Sequence, residues 1–360
     1  MKVLFISKDF KQSQANGGFV VSKKKYDLFL KLFGKDNIDL YVFPVPTFVS
    51  KIKGLLFNRD YGITKKIENE IKTKISRGTY NYVFFNSSLF GNLIEYCRNG
   101  GIKTITFFHN IEKKYYHDVY KYKKSVSTYF FYKYVSRLEK KSCLFSDCKI
   151  VLNERDSEEM QKEYSILPEL ILPISMDSHV KSIKNNNSKK GKCGFIGSDM
   201  FANKDGMLWF IKNVLPHINK QFVVAGSICD YLKERLSANY ENLEMLGRVN
   251  NVDDFYNSVE FVVSPIFLGS GMKTKSVEAL SYGIPIIGTK EAFVGIDYKN
   301  IGELCQSASE FIEKINNFDI SKYSGHPYKY FEKNLSNSVV LEKLKTYIEG
   351  CEKWMLQKSQ

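Results

Sequence analysis

The sequence predicts an α/β protein built from two doubly wound parallel sheets. Short apolar segments alternate with amphipathic helical segments from Val3 onward, and the alternation starts again at Cys193. The two series are separated by residues 178–192, which are polar and carry five lysines but no acid. Because 360 residues exceed the usual size of one hydrophobic core, we expect two domains. We place the first domain at 1–177, the linker at 178–192, the second domain at 193–335 and a C-terminal helix at 336–360.

The predicted strands are apolar segments rich in β-branched and aromatic residues, and turns with glycine, proline or polar residues follow them. In order, they cover 3–6, 38–43, 82–85, 104–108, 148–152, 193–196, 222–225, 243–246, 261–263 and 285–287. Helices are predicted at 20–33, 89–97, 155–164, 205–214, 231–239, 252–259, 276–282 and 339–357. This alternation is typical of a parallel sheet with helices on both faces.

Positive charge is distributed unevenly along the chain. The net charge is +14, yet residues 193–360 hold 18 lysines and arginines against 20 aspartates and glutamates, so the excess lies in the first domain and the linker. This pattern favours one basic surface that meets an anionic partner over a protein that coats nucleic acid uniformly. The seven cysteines are scattered without a C-x-x-C pair and suggest neither a disulfide framework nor a zinc site. No segment has the apolar length of a membrane span, so we expect a cytoplasmic protein.

A glycine-bearing segment at 265–283 predicts a phosphate-binding loop. It follows a predicted buried strand and runs into a predicted helix. Backbone N–H groups at the start of a helix attract anions, and Lys273 and Lys275 add positive charge. Glu278 comes one turn into the helix, where a carboxylate could accept hydrogen bonds from a ribose diol.

Further polar and glycine residues follow the other strands of the second domain. The carboxyl ends of parallel strands share one edge of a sheet, and ligands bind at that edge in open α/β folds. The side chains that could converge on one ligand there are Ser198, Asn203, Ser227, Arg248, Lys273 and Glu278. Gly17 and Gly18 offer a similar turn after the first strand of the chain. The alternative is that all these turns are ordinary tight connections.

The fourth predicted strand of the first domain is followed by His109, Asn110 and Glu112. Polar side chains at the carboxyl end of a parallel strand are candidates for ligand contact. A lone histidine is more often structural, so the interpretation depends on the whole cluster. It is the best candidate for a functional cluster in the first half of the chain.

Residues 113–142 interleave nine lysines or arginines with nine tyrosines or phenylalanines and hold only two acids. Aromatic rings favour the headgroup zone of a bilayer and cations favour anionic lipid, so contact with the inner membrane surface is one interpretation. A helix with inward aromatic rings and solvated lysines is equally favoured, and nucleic acid binding is the less favoured third. The segment 48–59 also mixes lysines with apolar residues and could rest on a bilayer or pack under the sheet.

Several of these segments resemble the donor domain of family four retaining glycosyltransferases. That family has the GT-B fold, which consists of two Rossmann-like domains facing a central cleft. The resemblance covers nearly all of 193–297 and rests on the motifs at 194–198, 203–210, 224–226, 246–249 and 264–285. It implies that the first domain binds the acceptor, with His109, Asn110 and Glu112 at the cleft, and that the C-terminal helix packs back on the first domain.

The resemblance also implies how the donor sugar nucleotide is held. The second glutamate of the family's paired motif is Glu278, which would bind the nucleotide ribose. Ser270 stands where the family has its first glutamate, a residue that contacts the transferred sugar. Recognition of the sugar would therefore come from the backbone at Gly271 and Met272 or from Lys273.

For the diphosphate, the backbone N–H groups of Thr274 and Lys275 match the positions that hold the distal phosphate in similar enzymes. The family's arginine and lysine clamp is replaced here by Ser198 and Asn203. The missing positive charge would come from Lys273, Lys275 or Arg248. The remaining donor-binding positions implied by the motifs and turns are Gly17, Gly18, Gly197, Ser227 and Val249.

The function implied by the resemblance is transfer of a sugar, of hexose type, from a nucleotide diphosphate sugar with retention at the anomeric carbon. A UDP-sugar is the favoured donor, and the acceptor would be a hydroxyl of a glycan or lipid-linked glycan in bacterial-type surface polysaccharide or glycoconjugate synthesis. His109, Lys273 and Glu278 are the residues expected to act in the reaction. We expect no cofactor and no metal, because no Asp-x-Asp motif is placed to bridge the phosphates. The alternatives are a sugar-nucleotide epimerase or phosphorylase on the same fold, or a non-catalytic protein that binds membrane or nucleic acid.

Overall fold

The structure, a computed structural model, describes residues 1–10, 17–179, 191–237 and 240–358. Contacts between Cα atoms divide the chain into two compact units, one formed by Met1–Leu172 with the segment from Leu341 onward and the other by Pro173–Val340. Most of the predicted linker, residues 180–190, lies outside the described residues. Each unit contains one six-stranded sheet, and every pair of neighbouring strands is parallel. The prediction of an α/β protein with two doubly wound parallel sheets is confirmed.

The first unit alternates strand and helix along the chain. Its strands are β1 Val3–Lys8, β2 Ile38–Phe43, β3 Tyr82–Phe85, β4 Lys103–Phe108, β5 Cys148–Val151 and β6 Leu170–Ile171. Its helices are α1 Gly17–Phe33, α2 Phe48–Leu56, α3 Lys65–Arg77, α4 Gly91–Asn99, α5 Glu112–Lys123, α6 Val126–Phe145 and α7 Glu154–Tyr164. Several helices begin at a Ser, Thr or Asn whose side chain accepts a backbone hydrogen bond, as Thr64 does for α3.

The second unit repeats the alternation. Its strands are β7 Lys192–Ile196, β8 Gln221–Ala225, β9 Leu243–Gly247, β10 Phe261–Ser264, β11 Ile286–Gly288 and β12 Gly302–Leu304. Its helices are α8 Phe201–Asn213, α9 Ile228–Arg235, α10 Val252–Tyr256, α11 Thr274–Ser281, α12 Ala308–Asn316 and α13 His326–Asn334, and α14 Asn337–Lys358 crosses the boundary between the units.

Strand order places a switch point in each sheet. The first sheet has the order β2-β1-β3-β4-β5-β6, and the second has β9-β8-β7-β10-β11-β12. The direction in which strands are added therefore reverses between β1 and β3 in the first sheet, and between β7 and β10 in the second. Ligands of doubly wound sheets bind at the carboxyl ends of the strands at such a point.

Both faces of each sheet are covered, which explains why the strands are nearly continuous apolar segments. In β1, Leu4 and Ile6 join the apolar cluster on one face. Phe5 points to the other face and packs on Phe29 and Phe84, with ring centres 5.5 and 4.6 Å away. Helices α3 and α4 and helix α1 thus bury opposite faces of the same strand, and these contacts fix its register.

Candidate functional site

The switch point of the second sheet is closely packed. β7 continues into Gly197 and Ser198, and β10 ends at Ser264. Helix α8 approaches the end of β10 because Gly206 has no side chain there. A Cβ atom at Gly206 would lie 1.9 Å from the carbonyl oxygen of Pro265. The turn after β7 and the loop after β10 are therefore held side by side.

The loop between β10 and α11 depends on glycine conformations. Gly269 and Gly271 have φ angles of 133° and 65°, which L side chains rarely adopt. The ammonium group of Lys273 donates to the carbonyl oxygen of Gly271 at 2.9 Å and pairs with Glu291 at 3.1 Å. Helix α11 then begins at Thr274, and no side chain of the preceding residue caps it. Lys273 braces the loop, while the first N–H groups of α11 lack intrahelical acceptors, as in every α-helix.

Lys275 connects the first turn of α11 to the turn after β7. Its Nζ donates to Asn203 Oδ1 at 2.6 Å, and the Asn203 amide donates to the carbonyl oxygen of Ser198 at 2.7 Å. The same ammonium group lies 4.0 Å from the centre of the Phe195 ring. Burial, together with the nearby charge of Lys273, lowers the pKa of Lys275 to about 7. An anion bound here would favour the protonated form of Lys275.

Glu278 is oriented by a buried aromatic pair. Its Oε2 accepts a hydrogen bond of 3.0 Å from the hydroxyl of Tyr256. The Tyr256 ring is fully buried and stacks on Tyr282, with ring centres 4.3 Å apart, and the Tyr282 hydroxyl donates to Asp253. Burial and the charge of Glu278 raise the pKa of Tyr256, so its hydroxyl remains a donor.

The other donor-binding residues predicted in the second domain lie at the same carboxyl edge of the second sheet, whereas Gly17 and Gly18 begin α1 in the first unit. Ser227 Oγ accepts a hydrogen bond from the N–H of Asp199 at 3.2 Å. The Arg248 side chain is exposed, and its Nε lies 3.6 Å from a carboxylate oxygen of Asp230. The remainder follow the strands directly: Gly197 comes after β7, Val249 after β9, half-buried Ser270 and buried Met272 lie in the loop after β10, and Thr274 begins α11.

His109 follows β4, the strand next to the switch point of the first sheet. Its Nε2 is 3.1 Å from the backbone carbonyl oxygen of Asn86 and 3.2 Å from the Asn86 side-chain oxygen, while Nδ1 is 3.3 Å from Lys25 Nζ. Asn86 follows β3, and its amide donates to the hydroxyl of Ser7 in β1 at 3.0 Å. Burial, with the charges of Lys25 and Lys8, lowers the pKa of His109 well below 6.5.

Asn110 and Glu112 lie beside a buried carboxylate. Glu139 accepts hydrogen bonds from the N–H groups of Glu112 and Lys113 at 2.8 and 2.9 Å, and so caps helix α5. Burial and the charge of Glu139 raise the pKa of Glu112 to about 7, although Lys8 and a hydrogen bond from Asn110 oppose the shift. Near neutral pH, Glu112 can therefore act as a hydrogen-bond donor or as an acceptor.

Helix α1 contributes a residue that the sequence patterns did not indicate. Gly17 and Gly18 begin this helix, and Lys25 lies two turns further on. Lys25 is only 7% exposed, and its Nζ lies 2.7 Å from the centre of the Phe107 ring. Burial lowers the pKa of Lys25 well below 10.5.

The sequence patterns did not indicate Asn86 and Tyr256 as site residues either. Each is a single polar residue whose partner is distant in sequence, so no local pattern identifies it. Lys25 does have a local signal, because Val21, Lys25 and Leu28 recur at the spacing of one helix face. Both apolar members of that face are buried.

The basic, aromatic segment forms two helices. Lys124, with a φ angle of 47°, ends α5, and Ser125 caps α6 by accepting from the N–H of Thr128. Apolar and aromatic side chains are exposed around this junction, with Tyr122 at 73% and Val126 at 74%.

Helix α2 packs near the middle of α6 and carries further exposed apolar residues. Its Leu55 and Phe131 of α6 pack against the same buried cluster. The exposed apolar residues of α2 and its end are Phe48, Val49, Leu56 and Phe57. None of the described helices has the length and apolar content to cross a membrane.

These features place the chain in a structural class: proteins of two Rossmann-like domains, with a polar cluster near the switch point of each sheet. Residues 190–318, about a third of the chain, match the family model described as Glycosyl transferases group 1. A comparison with curated proteins gave no match.

Solved structures of low sequence identity share the fold over the whole chain. Sucrose-phosphate synthase from Thermosynechococcus elongatus matches with a TM-score of 0.73 at 13% identity and covers 100% of both chains. HepE from Anabaena, in a complex with UDP and glucose, matches with a TM-score of 0.65 at 13% identity and covers 97% of this chain and 99% of that one. WaaG, a glycosyltransferase involved in lipopolysaccharide biosynthesis, matches with a TM-score of 0.64 at 15% identity and covers 95% of this chain and 98% of that one. The chain thus has the GT-B fold of these structures, and its match to the group 1 family model is confined to residues 190–318.

Proposed function

We propose that the protein is a retaining glycosyltransferase that uses a nucleotide diphosphate sugar, with a UDP-sugar favoured. The observation that carries this proposal is the contact of half-buried Lys275 with Asn203, beside the N-terminus of α11 and at the switch point of the second sheet. The similar HepE structures with UDP and with UDP-glucose support the choice of UDP. The acceptor in this proposal is a hydroxyl of a glycan or lipid-linked glycan in surface polysaccharide or glycoconjugate synthesis.

Of the three candidate cations, we assign the diphosphate to Lys275. Lys273 is paired with Glu291 and holds the loop, and exposed Arg248 lies near Asp230. The hydrogen bond and the ring contact of the Lys275 amine are both made with neutral groups, so its charge is available to a phosphate. The N–H groups at the start of α11 would bind the same phosphate, because a helix N-terminus attracts anions.

We assign the ribose to Glu278. The hydroxyl of Tyr256 orients the carboxylate, and a carboxylate accepts hydrogen bonds from a diol without having to move. Sugar recognition would come from the loop at Ser270, Gly271 and Met272, where the backbone conformation is fixed by the positive φ of Gly271.

In the reaction, the bond between the anomeric carbon and the diphosphate oxygen breaks, and its electron pair stays on the diphosphate. A bond from the acceptor oxygen forms on the same face of the anomeric carbon, and the acceptor proton passes to the departing diphosphate. Negative charge develops on the departing diphosphate. Lys275 and the N-terminal amides of α11 would stabilise that charge without a metal ion. His109, Asn110 and Glu112, at the edge of the first sheet, would contribute contacts to the bound substrates.

The test is calorimetric titration of UDP into the full chain and into three variants. Lys275→Met removes the charge and should weaken binding at least tenfold, and Glu278→Ala should abolish it. Lys290→Met, which changes an exposed lysine of the same unit, is the control and should bind normally. Failure of the unaltered chain to bind any nucleoside diphosphate would contradict the proposal. A screen of nucleotide sugars by mass spectrometry would then separate transfer from epimerisation or phosphorolysis.

We also propose that α2 and the α5–α6 junction both contribute to a surface that rests on an anionic membrane, at its inner face, where a lipid-linked acceptor would lie. Exposed apolar residues of this surface stand among lysines such as Lys53, Lys121 and Lys124. Lys121→Glu combined with Lys124→Glu should lower binding to vesicles that contain anionic lipid. Unchanged vesicle binding, or preferential binding to nucleic acid, would remove this proposal.

A further inference from the structure

A continuous set of polar contacts crosses the switch point of the first sheet. It runs from Ser7 at the end of β1 to Asn86 after β3, then to His109 after β4, and ends at Lys25 on α1. The three strands are neighbours in the sheet, in the order β1-β3-β4. Both ring nitrogens of His109 are therefore engaged by groups of the same unit.

The contacts decide which nitrogen of His109 carries the proton. Nε2 lies 3.1 Å from the backbone carbonyl oxygen of Asn86, and a carbonyl oxygen can only accept a hydrogen bond. Nε2 must therefore be the donor. A lysine amine, charged or neutral, can donate, and Lys25 Nζ lies 3.3 Å from Nδ1. The neutral ring with its proton on Nε2 satisfies both contacts, whereas a doubly protonated ring would direct a second N–H at the lysine.

Burying the Lys25 side chain costs free energy of folding. Its side chain is buried over the Phe107 ring, and among the described residues no carboxylate forms an ion pair with its amine. Burying a lysine without an acidic partner is unfavourable, and methionine could fill a similar volume without that cost. A cost of this kind indicates that the amine has a role other than stabilising the fold.

We infer that Lys25 is a positioning residue, which holds His109 as a neutral imidazole with the proton on Nε2. The groups that act on the ring come from every element around it: Lys25 from α1, Lys8 at the end of β1, Asn86 after β3 and Phe107 in β4. Both nearby charges are positive, and both oppose protonation of the ring. Lys25 is the one that also contacts a ring nitrogen.

The consequence for the reaction rests on the proposed function. Glycosyl transfer passes through a sugar with oxocarbenium character, which carries positive charge at the anomeric carbon. An imidazolium at the edge of the first sheet would repel that charge, and a neutral imidazole does not. His109 is then a neutral contact surface and does not act as a proton donor at neutral pH.

The test is NMR of the full chain with isotope-labelled histidine rings, followed from pH 5 to 8. His109→Gln identifies the His109 signals among those of the five histidines. In the unaltered chain we expect nitrogen shifts of the Nε2-protonated neutral ring and no titration near pH 6.5. In Lys25→Met the signals should titrate at a higher pH than in the unaltered chain, because one of the two nearby positive charges is gone while the burial of the ring remains. Lys25→Gln keeps a donor for Nδ1 without the charge, so it should preserve the tautomer while allowing titration to begin at a higher pH than in the unaltered chain.

The control is Lys23→Met, which changes an exposed lysine of the same helix that pairs with Asp27, and it should leave the His109 signals unchanged. A proton on Nδ1, or ordinary titration in the unaltered chain, would overturn the inference, and that measurement does not depend on whether the variants fold. Unaltered His109 signals in folded Lys25→Met would also overturn it. Because these readouts need no donor, failure of UDP binding would count against the proposed function alone.

Discussion

Each unit has a lysine with a lowered pKa beside the switch point of its sheet, and the two lysines are used differently. Lys25 and Lys275 both lie over an aromatic ring and both have a lowered pKa because of burial. Lys25 contacts a ring nitrogen of His109 within a set of contacts that the unit completes itself. Lys275 contacts the side-chain oxygen of Asn203, next to the first N–H groups of a helix.

The difference shows how similar sheets acquire different roles. A lysine that faces a base inside a completed network can only orient that base. A lysine that faces neutral oxygen beside a helix N-terminus keeps its positive charge available to an anion. Strand topology therefore places the two clusters, while the first partner of each lysine determines what the cluster can do.

The comparison between Lys25 and Lys275 depends on the rigid packing around the second switch point, and Gly226→Ala should disrupt that packing. Gly226 has a φ angle of 97°, and a Cβ atom there would lie 2.2 Å from the carbonyl oxygen of Gly197. We expect a loss of at least about 3 kcal/mol in the free energy of unfolding, from backbone strain and collision together. Urea unfolding measures this loss.

Gly247→Ala is the matched control for that variant. Gly247 also has a positive φ, of 73°, but a Cβ atom there would meet no other atom within 4 Å among the described residues. It should cost only about 1 kcal/mol, which is the strain of the conformation alone. Equal losses in the two variants would show that contact with Gly197 contributes nothing.

The second prediction concerns the pH dependence of diphosphate binding. The pKa of Lys275 is about 7 in the free protein, and a bound diphosphate favours the protonated form. Affinity for UDP should therefore be greatest below pH 7 and fall by up to about tenfold per pH unit above it. Calorimetry between pH 7 and 9, where the diphosphate is fully ionised, measures this slope. Lys275→Arg stays charged, so a slope that persists in a binding-competent arginine variant would assign the titration to another group.

The sequence predicted the framework of both sites and not their internal contacts. The strands, the glycine loop and the polar turns have local patterns, and Lys275 and His109 were named from them. The partner of Lys275 is 72 residues away, and that of His109 on α1 is 84 residues away. Pairs of this kind depend on strand order and helix packing, which periodicity does not specify. Lys25 was overlooked because a run of lysines usually marks a solvated helix face.

The short strands β6 and β12 were not predicted either. β6 has two residues and β12 has three, so neither is long enough to show an alternating or continuous apolar pattern. Both lie at the edges of their sheets, where pairing with one neighbour decides whether a strand forms. The switch points lie near the centre of each sheet and were therefore unaffected by these omissions.

The third prediction is that replacing the binding lysine stabilises the protein. A lysine with a lowered pKa binds fewer protons in the folded state than in the unfolded state, so its contribution to stability increases as the pH rises from about 7 to 10.5. Lys275→Met should raise the free energy of unfolding at pH 7.5 by on the order of 1 kcal/mol and reduce its increase with pH. Urea unfolding at pH 7.5 and 9 tests this. Destabilisation at both pH values would mean that the contact with Asn203 outweighs the cost of burial.

The smallest expected effect comes from Tyr256→Phe, which tests whether the second cluster is oriented from within as the first one is. The variant removes the hydrogen bond to Glu278 and leaves the stack on Tyr282 in place. Binding of UDP should weaken by about 0.5–1 kcal/mol, since Glu278 keeps its charge but loses one orienting contact. Tyr282→Phe, which removes the contact with Asp253 instead, is the control and should leave affinity unchanged. If the two variants lose affinity equally, the aromatic pair supports α11 as a whole and does not orient Glu278 in particular.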